Sequence, residues 1–154
     1  MTTDHVTQPW TLRSTLVSVA DLDRSIGFYG ELGPFGVVAR EDAIAVLGDP
    51  SPGSLTLVLR ETRGLHQVRH GQQSLGLRSM TFNVGSPAEL DRIESFLRSR
   101  DLFTDRRQVA AGASDIMRGR DPDNLPLAFV AYAKDEIGPE YYESVIGMFY
   151  SMDA

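Results

Sequence analysis

A chain of 154 residues with 42% hydrophobic and 23% charged side chains has the balance of one ordinary globular domain, or of two small modules that share a core. The absence of cysteine excludes disulfides, thiolate metal sites and cysteine nucleophiles, and a net charge of −6 argues against a general binder of phosphate backbones. No apolar run is long enough to cross a bilayer, and MTTDHVTQPW lacks the basic start and apolar core of a secretory leader, so the expectation is a cytoplasmic protein that meets neither membrane nor nucleic acid.

Residues 1–11 read as a polar arm. Leu12 to Val19 is a strand, because Thr15, Val17 and Val19 alternate with Ser14, Leu16 and Ser18. Ala20-Asp21 breaks the alternation, and Asp21 is placed to cap a helix over Leu22 to Leu32 whose stripe is Leu22, Ile26 and Tyr29. Gly33-Pro34 stops it. Phe35 to Arg40 and Ala43 to Leu47 are short strands around a Glu41-Asp42 turn, and Leu55 to Arg60 is a further strand after a Pro-rich loop. These make a first module over 12–61, and a polar linker over 62–76 follows.

A second module spans 77–133. It opens with a strand, Leu77 to Val84, and a helix, Pro87 to Arg100, with Leu90, Ile93, Phe96 and Leu97 on one stripe. Strands are expected over Asp105 to Ala110, Ser114 to Arg120 and Leu127 to Tyr132, with Asp121-Pro122-Asp123-Asn124 as a turn. The basic run Arg98, Arg100, Arg106 and Arg107, broken by Asp101 and Asp105, reads as a solvated helix end and loop. The tail, 134–154, contains a helix over Glu140 to Tyr150 whose apolar side could cover a barrel mouth or join two chains as a homodimer.

The two halves match. Ser14-Thr-Leu-Val-Ser-Val19 and Ser79-Met-Thr-Phe-Asn-Val84 align at an offset of 65 residues, each followed by a helix. Thr15, Val17 and Val19 in one half, and Met80, Phe82 and Val84 in the other, belong under the helices. The opposite faces, Ser14, Leu16 and Ser18 and then Ser79, Thr81 and Asn83, are too polar for a closed core.

The βαβββ order, the phrase VSVADLDRSIGFYGEL and the later GRDPDNLPLAF resemble the vicinal oxygen chelate superfamily, which includes glyoxalase I, extradiol dioxygenases, fosfomycin-resistance enzymes and bleomycin-binding proteins. The resemblance covers Leu12 to Tyr132. It implies an α+β fold in which two duplicated βαβββ modules form an open, partly closed barrel with ligand in the concavity.

The resemblance also implies four metal-ligand positions. Counting seven back from Asp21 gives Ser14, three back from Phe82 gives Ser79, and seven on from Asp121 gives Ala128; the last strand of the first module supplies Thr56. None offers the imidazole or carboxylate that zinc, iron, nickel or manganese prefer, so no metal and no other cofactor is expected there. Asn124 replaces the glycine usual in the late turn, and asparagine tolerates the same left-handed backbone. Displaced ligands would have to come from Glu61, His66 or His70. The last two are spaced i, i+4 in a linker-like stretch, and Glu61 reads as a rim charge paired with Arg60 or Arg63.

The expected lining of the concavity is Ser14, Leu16, Ser18, Thr56, Val58, Ser79, Thr81, Asn83, Ala128, Val130 and Tyr132. This mixture of small, apolar and hydroxyl groups suits a small hydrophobic or weakly polar organic molecule. It contains no nucleophile–base pair. Three roles remain open: a metal-free binding protein similar to the bleomycin-binding branch; an enzyme, either a lyase or dioxygenase with displaced ligands or a metal-independent isomerase or cyclase; and a structural or interaction module whose concavity is vestigial.

Overall fold

A computed structural model describes residues 12–49, 54–62, 77, 79–108 and 115–131. The arm, nearly all of the linker with His66 and His70, Tyr132 and the tail lie outside the described residues. The chain divides into two compact units, residues 1–63 and 64–154.

The first unit runs β1 (Ser14–Val19), α1 (Leu22–Leu32), β2 (Gly36–Glu41), β3 (Ile44–Gly48) and β4 (Thr56–Glu61). Its sheet has the order β1-β4-β3-β2, with β1 parallel to β4 and the other pairs antiparallel. The period-two pattern of β1 sorts as expected: Val17 and Val19 are buried with Leu57, Leu59, Ala45 and Leu47, while Ser14, Leu16 and Ser18 are exposed. The helix lies on the buried side. Its buried stripe is wider than the sequence suggests, taking in Ser25, Phe28 and Leu32 beside Leu22 and Tyr29, and it leaves Ile26 half-buried at its margin. The Tyr29 ring meets Phe28 and Phe35 edge-on, with centroids 5.1 and 6.4 Å apart.

Asp21 caps α1, its carboxylate accepting from the Arg24 N–H at 2.9 Å. Glu61 adds a second acceptor, taking the Leu22 N–H at 3.0 Å. The parallel register explains this: Glu61 is the Cα partner of Val19 and so stands on the helix side of the sheet. The expected rim position of Glu61 is thereby corrected to a place at the start of α1, where a negative charge complements the helix dipole.

The second unit repeats the plan with β5 (Met80–Asn83), α2 (Pro87–Arg98), β6 (Phe103–Gln108), β7 (Asp115–Arg120) and β8 (Pro126–Val130), in sheet order β5-β8-β7-β6. Even the irregularities repeat, since both edge strands shift register, between Val37 and Ala39 in β2 and between Phe103 and Asp105 in β6. Ser86 caps α2 through the Glu89 N–H, with Pro87 at the first helical position. The helix ends at Arg98 rather than Arg100 because Asp101 takes a left-handed backbone, φ 58°, which lets the Leu102 N–H close on the Leu97 carbonyl at 2.9 Å. Leu90, Ile93 and Leu97 are buried as expected, while Phe96 is half-buried beneath the Arg100 guanidinium. Where α2 crosses β7 the strand has Gly119, and a Cβ there would lie 2.7 Å from Leu97 Cδ1 and 2.8 Å from the Leu102 carbonyl oxygen.

Arg106 and Arg107 lie in β6, not in a solvated loop. Arg106 holds the sheet to α2: its Nη1 donates to Asp91 at 2.7 Å and Glu94 at 3.0 Å, and its Nε to Asp115 of β7 at 2.8 Å. The Glu94 carboxyl is held below the ordinary carboxylate range by hydrogen bonds from Arg106 and Arg98.

Candidate functional site

The residues expected to line a ligand site stand on the sheet faces turned away from the helices. In the first sheet the register sets Ser14 beside Thr56 and Leu16 beside Val58, Val58 beside Val46, and Val46 beside Ala39. Ser14, Leu16 and Ser18 are exposed, and Thr56 and Val58 half-buried. This face is unusually apolar for one so open: Leu16 keeps 60% of its surface, Val38 63% and Ile44 41%. At its end, Gly48 leaves room beside Thr56 Oγ1 and Val38 Cγ2, which lie 3.6 and 3.8 Å from where a Cβ would stand.

In the second sheet the register pairs Thr81 with Ala128 and Asn83 with Val130, and Ser79 stands one residue before β5 on the same face. Ala128, Val130 and the neighbouring Ile116 are buried, whereas Thr81 and Asn83 are exposed. On the other side of Ala128 is Arg118, and beyond it Asp105. The two form a forked ion pair, Arg118 Nε donating to Oδ1 at 2.6 Å and Nη2 to Oδ2. Arg107 Nε also donates to Asp105 Oδ2, at 3.0 Å. The Asp105 carboxyl is held below its usual range, first by the Arg118 hydrogen bond and then by the charges of both arginines, against the opposing effect of burial. Arg120, two residues along β7, donates from Nη1 to the Asn124 side-chain oxygen at 3.0 Å.

The turn before β8 is a local device. Asp121 Oδ1 accepts from the Asp123 and Leu125 N–H groups at 2.9 and 2.8 Å, and Asn124 adopts φ 71°, the left-handed conformation expected of it.

The residues at the four positions named by the resemblance do not fit a divalent ion. Ser14 and Thr56 are Cα partners, but they bring two neutral hydroxyls together. Ala128 presents a methyl group where a carboxylate would be needed, and its partner in β5 is Thr81 rather than Ser79. Among the described residues no group of three or more His, Cys, Asp and Glu could hold a metal, and Glu61 is committed to the α1 N-terminus. Reading the sequence residue by residue missed Arg118 and Asp105. Their pairing exists only across the β6–β7 register, which the bulge after Phe103 shifts. The one local signal was an Asp and an Arg in strands expected to neighbour each other.

Similar proteins appear among solved structures. A glyoxylase/bleomycin resistance protein/dioxygenase domain from Frankia sp. EAN1pec is 26% identical with a TM-score of 0.66, over 84% of this chain and 96% of that one. This is the vicinal oxygen chelate fold. A lactoylglutathione lyase from Agrobacterium tumefaciens shares it at 16% identity and TM-score 0.58, over 80% of this chain and 95% of that one. So does a bleomycin resistance determinant encoded on the transposon Tn5, at 18% and 0.55, over 79% and 98%. No protein-family model and no curated protein matches the chain by sequence.

Proposed function

We propose that this vicinal oxygen chelate protein binds a small, largely apolar organic molecule on the sheet faces turned away from its helices, without a divalent metal, and so sequesters it. The observation that carries the reading is the donor set. Ser14, Thr56, Ser79 and Ala128 stand where the resemblance places ligands, and three hydroxyls and a methyl group hold no transition metal at useful affinity. The apolar side chains Leu16, Val38 and Val58 on one such face supply contact area for an organic body. The likeness to a bleomycin resistance determinant supports this choice within the fold. Catalysis is the second reading, favoured by the lactoylglutathione lyase of the same fold. No helix among the described residues is long and apolar enough to cross a membrane, in keeping with a cytoplasmic protein.

The test is an NMR screen of small aromatic and alicyclic compounds against the labelled full chain. Saturable shifts at Leu16, Val58, Thr81 or Ala128 are expected. Shifts confined to the helices or turns, with none on these strands, would contradict the reading.

A further inference from the structure

The two far faces differ in one respect that bears on what the ligand is. At the positions Ala39, Val46 and Val58 of the first sheet, the second sheet has Asp105, Arg118 and Ala128, in the same mutual register. A charged pair has taken the place of a valine and an alanine. Placing a guanidinium at a central strand position is costly unless its charge is used or matched.

Asp105 matches only part of the charge present. Among the described residues of β6 and β7, Arg107, Arg118 and Arg120 share this strand face by the period of two, against the single carboxylate of Asp105. Asp121, next along the chain, has Oδ1 taken up by two N–H groups of its own turn. The face is therefore cationic in a chain whose net charge is −6. The fork is also unfinished: an arginine has five N–H donors, and Arg118 gives one to each oxygen of Asp105, so three have no partner among the described residues. The side chain is 13% exposed, which leaves it fixed by Asp105 yet reachable. A pre-oriented guanidinium whose remaining donors have no partner among the described residues is what recognition of a planar anion requires.

We infer that the ligand is an organic carboxylate, anchored by the Arg118 guanidinium with Asp105 as its positioning residue and Arg107 adding positive charge. This inference rests on the proposed binding role and narrows it. The anchor is Ala128's register partner, so a fixed organic cation stands beside the position where the resemblance places a metal-ligating carboxylate. The methyl group of Ala128 and the guanidinium beside it fit one chemistry, because a guanidinium, like a metal ion, can hold an anionic oxygen.

The experiment compares matched acids and amides, benzoate with benzamide and 2-naphthoate with 2-naphthamide, by NMR titration of the full chain with arginine Nε–Hε groups observed. The expected result is that the acids bind about ten-fold or more tightly than the amides, as expected for one charge-assisted hydrogen-bonded contact, and shift the Arg118 Nε–Hε signal. Arg118→Gln should erase the difference. Asp105→Asn, which removes the carboxylate that orients the guanidinium, should weaken acid binding while leaving amide binding unchanged, a split that a merely structural role for the pair does not produce. Amides binding as well as acids, or acid binding unchanged in Arg118→Gln, would overturn the carboxylate inference and leave the binding role standing. No saturable binding by any of the four compounds would count against both.

Discussion

The two modules have one topology and two ways of joining helix to sheet. In the first, aromatic rings carry the joint, with Tyr29 buried between Phe28 and Phe35. In the second, α2 comes close enough that only glycine fits at 119, and Arg106 ties Asp91, Glu94 and Asp115 together above it. An equivalent arginine exists in the first module: Arg40 stands at the matching place on the edge strand and also reaches its own helix, but it meets the single, exposed Asp23. Duplication thus preserves the register and the reach of a side chain while the energetics on either side diverge. Apolar burial carries the first joint; the second adds a polar network and a close backbone approach to its own apolar stripe of Leu90, Ile93 and Leu97.

The sharpest way to break the contrast is to empty each joint. Tyr29→Ala should destabilise the first module by about 3–5 kcal/mol and Leu97→Ala the second by about 2–5 kcal/mol, read by hydrogen exchange so that each module reports for itself. Gly119→Ala should cost about 1–3 kcal/mol by overpacking. Adding Leu97→Ala should relieve the side-chain part of that clash but not the part from the Leu102 carbonyl, so the double variant will be less than additive. Arg106→Gln should cost about 1–3 kcal/mol, because it strips charge-assisted hydrogen bonds from a half-buried network. Arg40→Gln, removing one exposed pair, should cost no more than about 0.5 kcal/mol; equal effects of the two arginine variants would erase the distinction between the joints.

Acid should sharpen the same comparison. Glu94 and Asp105 have folded-state pKa values depressed by their arginine partners. Their contribution is present above the unfolded-state carboxylate pKa, about 4, and is lost as pH falls through the lower folded values. Exchange protection in β6 and β7 should therefore decline with acidification in this range, and less steeply in Asp105→Asn.

The fold was largely legible because its signals are local. Alternation in β1 separates Val17 and Val19 from Leu16 and Ser18, and Asp21 with Gly33-Pro34 bounds α1 to the residue. What needed the structure was set by register. β5 is shorter than the strand expected over Leu77 to Val84 because it pairs with β8 from Met80 to Asn83. Glu61 caps α1 because Val19 is its partner, and no spacing within the Leu55 to Glu61 segment announces that. The same holds for the site. Ser14, Ser79 and Ala128 are expectations reached by counting along motifs, whereas Arg118 and Asp105 meet only after a bulge has shifted two strands.

The claim on which the functional account turns is that the fold is retained without its metal chemistry. Plasma mass spectrometry of the purified protein, after incubation with zinc, manganese, nickel and ferrous iron and removal of the excess, tests it directly. Metal well below one ion per chain is the predicted result, and it should persist unless histidine and glutamate are restored by Ser14→His, Ser79→His and Ala128→Glu. A transition metal near one per chain in the unaltered protein would contradict the account and direct attention to ligands outside these four positions.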